Sequence, residues 1–141
     1  MSGRHISVAL RLEVRQRAAG RCEYCLVHED DVLAPHEPDH ITAGQHGGTT
    51  TPDNLALACY HCNRLKGTNI ASVDPTTGQR VCLFDPRRHV WLEHFKLEGT
   101  AIVGLTAIGR ATATLLNFNA SDRLEFGASL IQAGRYPSSS L

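Results

Sequence analysis

Four of the five cysteines stand in two C-x-x-C pairs, Cys22/Cys25 and Cys59/Cys62, and no other feature constrains the fold as tightly. Each such turn lets two thiolates chelate one ion, and two turns close the tetrahedral four-sulfur shell that zinc prefers. The pairs are separated by residues 26–58, more chain than a plain zinc ribbon needs, so the loop between them must carry structure of its own. Closing so long a loop with a metal removes entropy from the unfolded chain, which makes the zinc a folding element. An odd cysteine count with four residues at metal spacing also fits a reducing compartment better than a disulfide framework. The fifth cysteine, Cys82 in RVCLFD, reads as a small core residue.

The 141 residues, 42% of them apolar, are enough for one domain with a modest core. We expect a single domain over residues 1–135, with zinc and chemistry within about 21–70, an extension over about 71–135 and a flexible tail at 136–141. No apolar run is long enough for a membrane helix, and the opening MSGRHISVALRLEVRQR lacks the uninterrupted apolar stretch of a secretory signal. A cytoplasmic protein is the expectation. Net charge is zero, with 14 basic against 14 acidic residues, so global charge does not announce a polyanion partner. The distribution is uneven: Arg4, Arg11, Arg15, Arg17 and Arg21 face a single acid, Glu13, while Glu29, Asp30, Asp31, Glu37 and Asp39 crowd the following loop. A metal enzyme acting on polyanions could use that layout, and so could a solvated helix beside a solvated loop.

Ser7 as N-cap and Gly20 as stop frame a helix over about Val8–Ala19, although Val8, Leu10, Leu12 and Val14 alternate as a strand would. An extended piece over Asp39–Thr42 leads into a turn containing Gly44, Gly47 and Gly48, two short strands joined by that turn make a hairpin, and Leu55, Leu57 and the second knuckle follow Thr51–Asn54. A short helix follows over Tyr60–Lys66, ended by Gly67. Further on come a turn at Asp74–Gly78 and a strand at Val81–Phe84. A hairpin then pairs about Val90–Leu97 with Thr100–Leu105 across Glu98-Gly99. Two more helices complete the pattern, one after Thr106 to about Asn117 and one capped by Ser121 and stopped by Gly134.

The chemistry gathers in His36-Glu37-Pro38-Asp39-His40-Ile41, Gly47-Gly48, Pro52-Asp53-Asn54-Leu55 and Cys59-Tyr60-His61-Cys62-Asn63-Arg64-Leu65-Lys66. These segments resemble the HNH endonuclease superfamily, with His40 as its first histidine, Asn54 as its central asparagine and Asn63 where the last histidine often stands, the HNN variant. The paired C-x-x-C turns resemble its zinc-binding branch. Residues Leu83–Arg88, Trp91, Glu93–Phe95, Gly104–Thr106 and Gly109–Thr112 are similar to small bacterial standalone members. The resemblance implies an α+β fold: a ββα-metal nuclease core stapled by the four-cysteine zinc site, with an N-terminal helix and a C-terminal hairpin plus helices.

Elementary chemistry gives each position a role. Asp39 and the Asn63 carbonyl are hard oxygen ligands for Mg²⁺ or another divalent cation. His40 is a general base, since neutral imidazole with an ordinary pKa of about 6.5 accepts a proton near neutrality. The resemblance implies that Asn54 sits between strand and helix, where its amide can tie backbone groups together and hold the loop that bears His40, a role that overlaps with capping a turn. His46, Arg64 and Lys66 are candidate phosphate contacts, and each also suits a solvated surface position. The histidines at 5, 28, 36, 61, 89 and 94 receive no catalytic role. The expected function is metal-dependent hydrolysis of phosphodiester bonds in DNA, double-stranded and read mainly through its backbone, by a monomer or a dimer. Its rivals are a zinc-stabilised nucleic-acid-binding module without catalysis and an iron redox protein built on the four cysteines.

Overall fold

A computed structural model describes residues 5–137. The chain divides into two compact units, residues 1–69 and 70–141, each with buried residues of its own.

In the first unit α1 spans Val8–Arg17, and the Ser7 hydroxyl caps it by accepting from the Leu10 N–H at 3.1 Å. The alternation that imitated a strand resolves on burial. Leu10, Val14 and Ala18, four residues apart, pack with Ile6, Leu55 and Leu57, whereas Val8 and Leu12 stay exposed. Strand β1 (Glu37–His40) pairs antiparallel with β2 (Leu55–Ala58), placing Asp39 opposite Ala56 and His40 opposite Leu55. The strand stops at His40, short of the Thr42 expected from sequence. The Thr42 N–H and C=O are taken by the Asn54 carboxamide at 2.9 Å each, which replaces the ladder. Residues 41–54 therefore form a structured loop with two single 3₁₀ turns, Gly44–His46 and Pro52–Asn54. Helix α2 (Tyr60–Lys66) follows, capped by the Cys59 sulfur and closed where the Gly67 N–H meets the Asn63 carbonyl.

The second unit begins with the ribbon β3 (Ala71–Val73) and β4 (Arg80–Cys82) around the Asp74 turn. Asp74 is fully buried and accepts from Thr76, Thr77 and the Nε and Nη2 of Arg110, whose guanidinium holds its carboxyl well below the usual carboxylate range. Cys82 is exposed, which corrects its reading as a core residue: the chain turns inward only beyond it, at Leu83 and Phe84. The hairpin pairs β5 (Phe95–Glu98) with β6 (Ala101–Gly104). Its first arm is shorter than expected because Trp91–His94 coils into one turn of helix, α3. Helix α4 (Ala107–Leu115) is capped by Thr106. Helix α5 (Ser121–Gln132) starts after Ala120 with no side-chain cap, so Ser121 is its first residue and not its cap. Of the expected tail, Tyr136 is buried and residues 138–141 lie outside the described ones. No helix among the described residues is long and apolar enough to cross a membrane.

Candidate functional site

The first knuckle turns at Leu26, which takes a left-handed φ of 72°. It is fastened to β2 twice, with Glu23 N–H donating to the Leu57 carbonyl and Leu57 N–H to the Glu23 carboxylate, both at 2.8 Å. The second knuckle opens α2. Between them the sulfurs of Cys22, Cys25, Cys59 and Cys62 lie within 4.8 Å of one another, all buried, a cluster that can hold one tetrahedral ion. Burial pushes the Cys22 and Cys62 thiols well up, so the thiolates a metal requires are unfavourable there without a cation's charge.

Beside this cluster lies the loop after β1. The Asn54 carboxamide accepts from Thr42 N–H and donates to the carbonyls of Thr42 and Thr49, at 2.9, 2.9 and 2.7 Å. Gly48 packs directly under that junction: a Cβ there would stand 1.7 Å from the Thr42 carbonyl oxygen and 2.9 Å from the Asn54 amide nitrogen. Gly47 supplies the left-handed turn before it, φ 87°. The glycine pair, weak as a sequence signal, is a steric requirement of this loop. On the strand, His40 Nε2 lies 2.9 Å from the Thr50 hydroxyl.

Asp39 and Lys66 are buried together, at 7% and 2% side-chain exposure, with Oδ2 and Nζ 3.0 Å apart. The same ammonium donates to the His40 carbonyl at 3.1 Å, and the Tyr24 hydroxyl donates to Asp39 Oδ2 at 3.4 Å. Burial pushes the Asp39 carboxyl above its ordinary value while Lys66 and Tyr24 pull it back. Lys66 thus pins α2 onto β1. Asn63 stands one turn before Lys66 on α2, and its backbone carbonyl accepts from the Gly67 N–H at 3.0 Å.

Residues 22–69, which contain the knuckles, the hairpin and α2, match the family model described as HNH endonuclease. This segment is an HNH endonuclease domain. Neither a curated protein nor a solved structure matches the chain. The four-sulfur cluster agrees with an HNH domain of the zinc-binding kind.

The cations of the first unit are arranged differently from the sequence expectation. Lys66 was a candidate phosphate contact, but its ammonium is sealed inside on Asp39. The arginines of the N-terminal run also turn to the chain itself. Arg11 reaches the Ile6 carbonyl and Glu37, and Arg15 makes a two-oxygen pair with Glu29 and bonds the His36 carbonyl. Arg17 donates to the carbonyls of Pro52 and Leu55, and Arg21 buries Nε and one terminal nitrogen. Arg4 lies outside the described residues. Arg64 and His46 are exposed, with Arg64 5.7 Å above the Tyr60 ring. Sequence reasoning missed Thr50 and Tyr24 altogether. Neither residue has a spacing signal, because each reaches the site only through the folded loop.

Proposed function

We propose that the HNH domain is a metal-dependent endonuclease that hydrolyses phosphodiester bonds in duplex DNA. The observation that supports this reading is the Lys66 bridge, which fastens the strand of Asp39 and His40 to the helix that carries Asn63. The donor set suits a hard divalent cation: Asp39 keeps Oδ1 outside the Lys66 and Tyr24 contacts, and Asn63 adds a carbonyl oxygen. When bound, Mg²⁺ or a similar ion would neutralise charge building on the phosphate and on the leaving 3′ oxygen. His40 takes a proton from the attacking water as the new P–O bond forms and the P–O3′ bond breaks, leaving a 5′ phosphate and a 3′ oxygen that takes a proton from solvent to become the hydroxyl. Asn54 keeps the His40 loop in shape, and the four cysteines hold structural zinc.

Incubation with supercoiled plasmid and Mg²⁺ or Mn²⁺ tests this. The parent should nick or linearise the plasmid, and His40→Ala should lose about 10²- to 10⁴-fold in rate with zinc content and fold unchanged. Binding of DNA with no cutting under either metal would reduce the protein to a binding module.

A further inference from the structure

Both flanks of Thr50 are bonded to the same residue. The Thr49 carbonyl accepts from the Asn54 side chain at 2.7 Å, and the Thr51 carbonyl accepts from the Asn54 N–H at 2.9 Å. The hydroxyls of Thr49 and Thr51 bond each other at 2.8 Å, and Thr51 continues to Asp53. The Thr50 hydroxyl instead meets His40 Nε2 at 2.9 Å. A neutral imidazole has one N–H and one lone pair, and the partner of one nitrogen decides which nitrogen carries the proton. Were Thr50 to donate to Nε2, the lone pair would be consumed and no nitrogen would remain to accept from water. With Nε2–H donating to the hydroxyl oxygen, the lone pair lies on Nδ1. That bond survives proton transfer and becomes charge-assisted once the ring is cationic.

We propose that Thr50 is a positioning residue that holds His40 as the Nε2–H tautomer with Nδ1 as the basic nitrogen. The role rests on the reading of His40 as general base. It also gives Asn54 a route to the chemistry, through the backbone that aims Thr50.

Two measurements test it: long-range ¹H–¹⁵N correlation spectra of the zinc-loaded protein, with His40→Ala for assignment, and plasmid cleavage with Mg²⁺. The parent and Thr50→Ser should show His40 as Nε2–H and cleave alike. Thr50→Val, similar in shape but unable to accept, should show mixed tautomers and lose about 10- to 100-fold in kcat, the range typical of supporting hydrogen bonds, with KM little changed and zinc retained. Parental cleavage by Thr50→Val, or an Nδ1–H tautomer in the parent, overturns the assignment. If Thr50→Val fails to fold, the parental tautomer alone decides. Cleavage by His40→Ala at the parental rate would instead sink the general-base reading, a failure distinct from loss of the Thr50 role alone.

Discussion

The two units hold themselves together by different means. In residues 70–137 the centre is aromatic: Phe95, fully buried, meets Trp91, Phe84 and Phe118 with ring centroids 5.0, 5.2 and 5.8 Å away. In residues 5–69 the apolar cluster consists of Ile6, Val14, Ala18, Leu55 and Leu57, without a phenylalanine, and beside it lie the buried cysteines and the buried Asp39–Lys66 pair. The groups proposed to react sit in the second kind of region. An aromatic core accepts no water and presents no ligands, whereas a hydrogen-bonded loop beside a cysteine cluster that can hold a metal can fix a histidine, a carboxylate and an amide with only a small core beneath them.

Removing the staple should produce the largest effect. Chelation of zinc, or Cys59→Ser, takes away a term on the order of 10 kcal/mol at sites of this type. Hydrogen exchange should then accelerate across residues 5–69 while the amides of 95–118 keep their protection. Metal analysis should find one zinc per parent chain. Protection surviving throughout the first unit after zinc removal would mean that its small core suffices, and the contrast drawn above would fail.

The reciprocal experiment is Phe95→Ala. Truncating a fully buried phenylalanine costs about 3–5 kcal/mol. The loss should appear in denaturant unfolding, with zinc content unchanged.

A third variant probes the polar side. Lys66→Met leaves the Asp39 carboxylate buried without its counter-charge. Breaking such a pair costs about 3 kcal/mol once uptake of a proton by the carboxyl limits the penalty. Lys66→Met/Asp39→Asn should recover much of that loss, because a neutral amide needs no counter-charge. Equal stabilities for single and double variants, measured by chemical denaturation, would show that the ion pair does not anchor α2.

These effects also mark where the sequence was legible. The C-x-x-C turns, α2 and the Asn54 region announce themselves through spacing within a few residues, and the α1 face needed only the i, i+4 relation to separate Leu10 and Val14 from Val8 and Leu12. The helical position of Lys66 was legible, but its partner depends on α2 docking on β1, which no local pattern encodes. The arginines misled for the same reason: a run of cations looks like a phosphate surface until the folded loops supply Glu29 and the carbonyls of His36, Pro52 and Leu55. Cys82 and the Trp91–His94 turn failed on a different ground. In a two-stranded ribbon and at its edges, tertiary packing overrides the period-2 preference on which a strand reading relies.

The cation rearrangement yields the smallest and most discriminating prediction. In a His40→Ala background, where binding is measured without cutting, each phosphate contact contributes about −0.9 to the slope of log affinity against log salt on duplex DNA. Arg64 is exposed on α2, beside the face that carries Asn63, so Arg64→Gln should flatten the slope by about one contact's worth. Arg15 already spends its guanidinium on Glu29 and the His36 carbonyl, so Arg15→Gln should leave the slope unchanged and lower stability instead. Affinity titrations of both variants across a salt series, paired with thermal melts, separate the two arginines. A flatter slope for Arg15→Gln would mean that DNA strips Arg15 from its internal partners and that the N-terminal run is a phosphate surface after all.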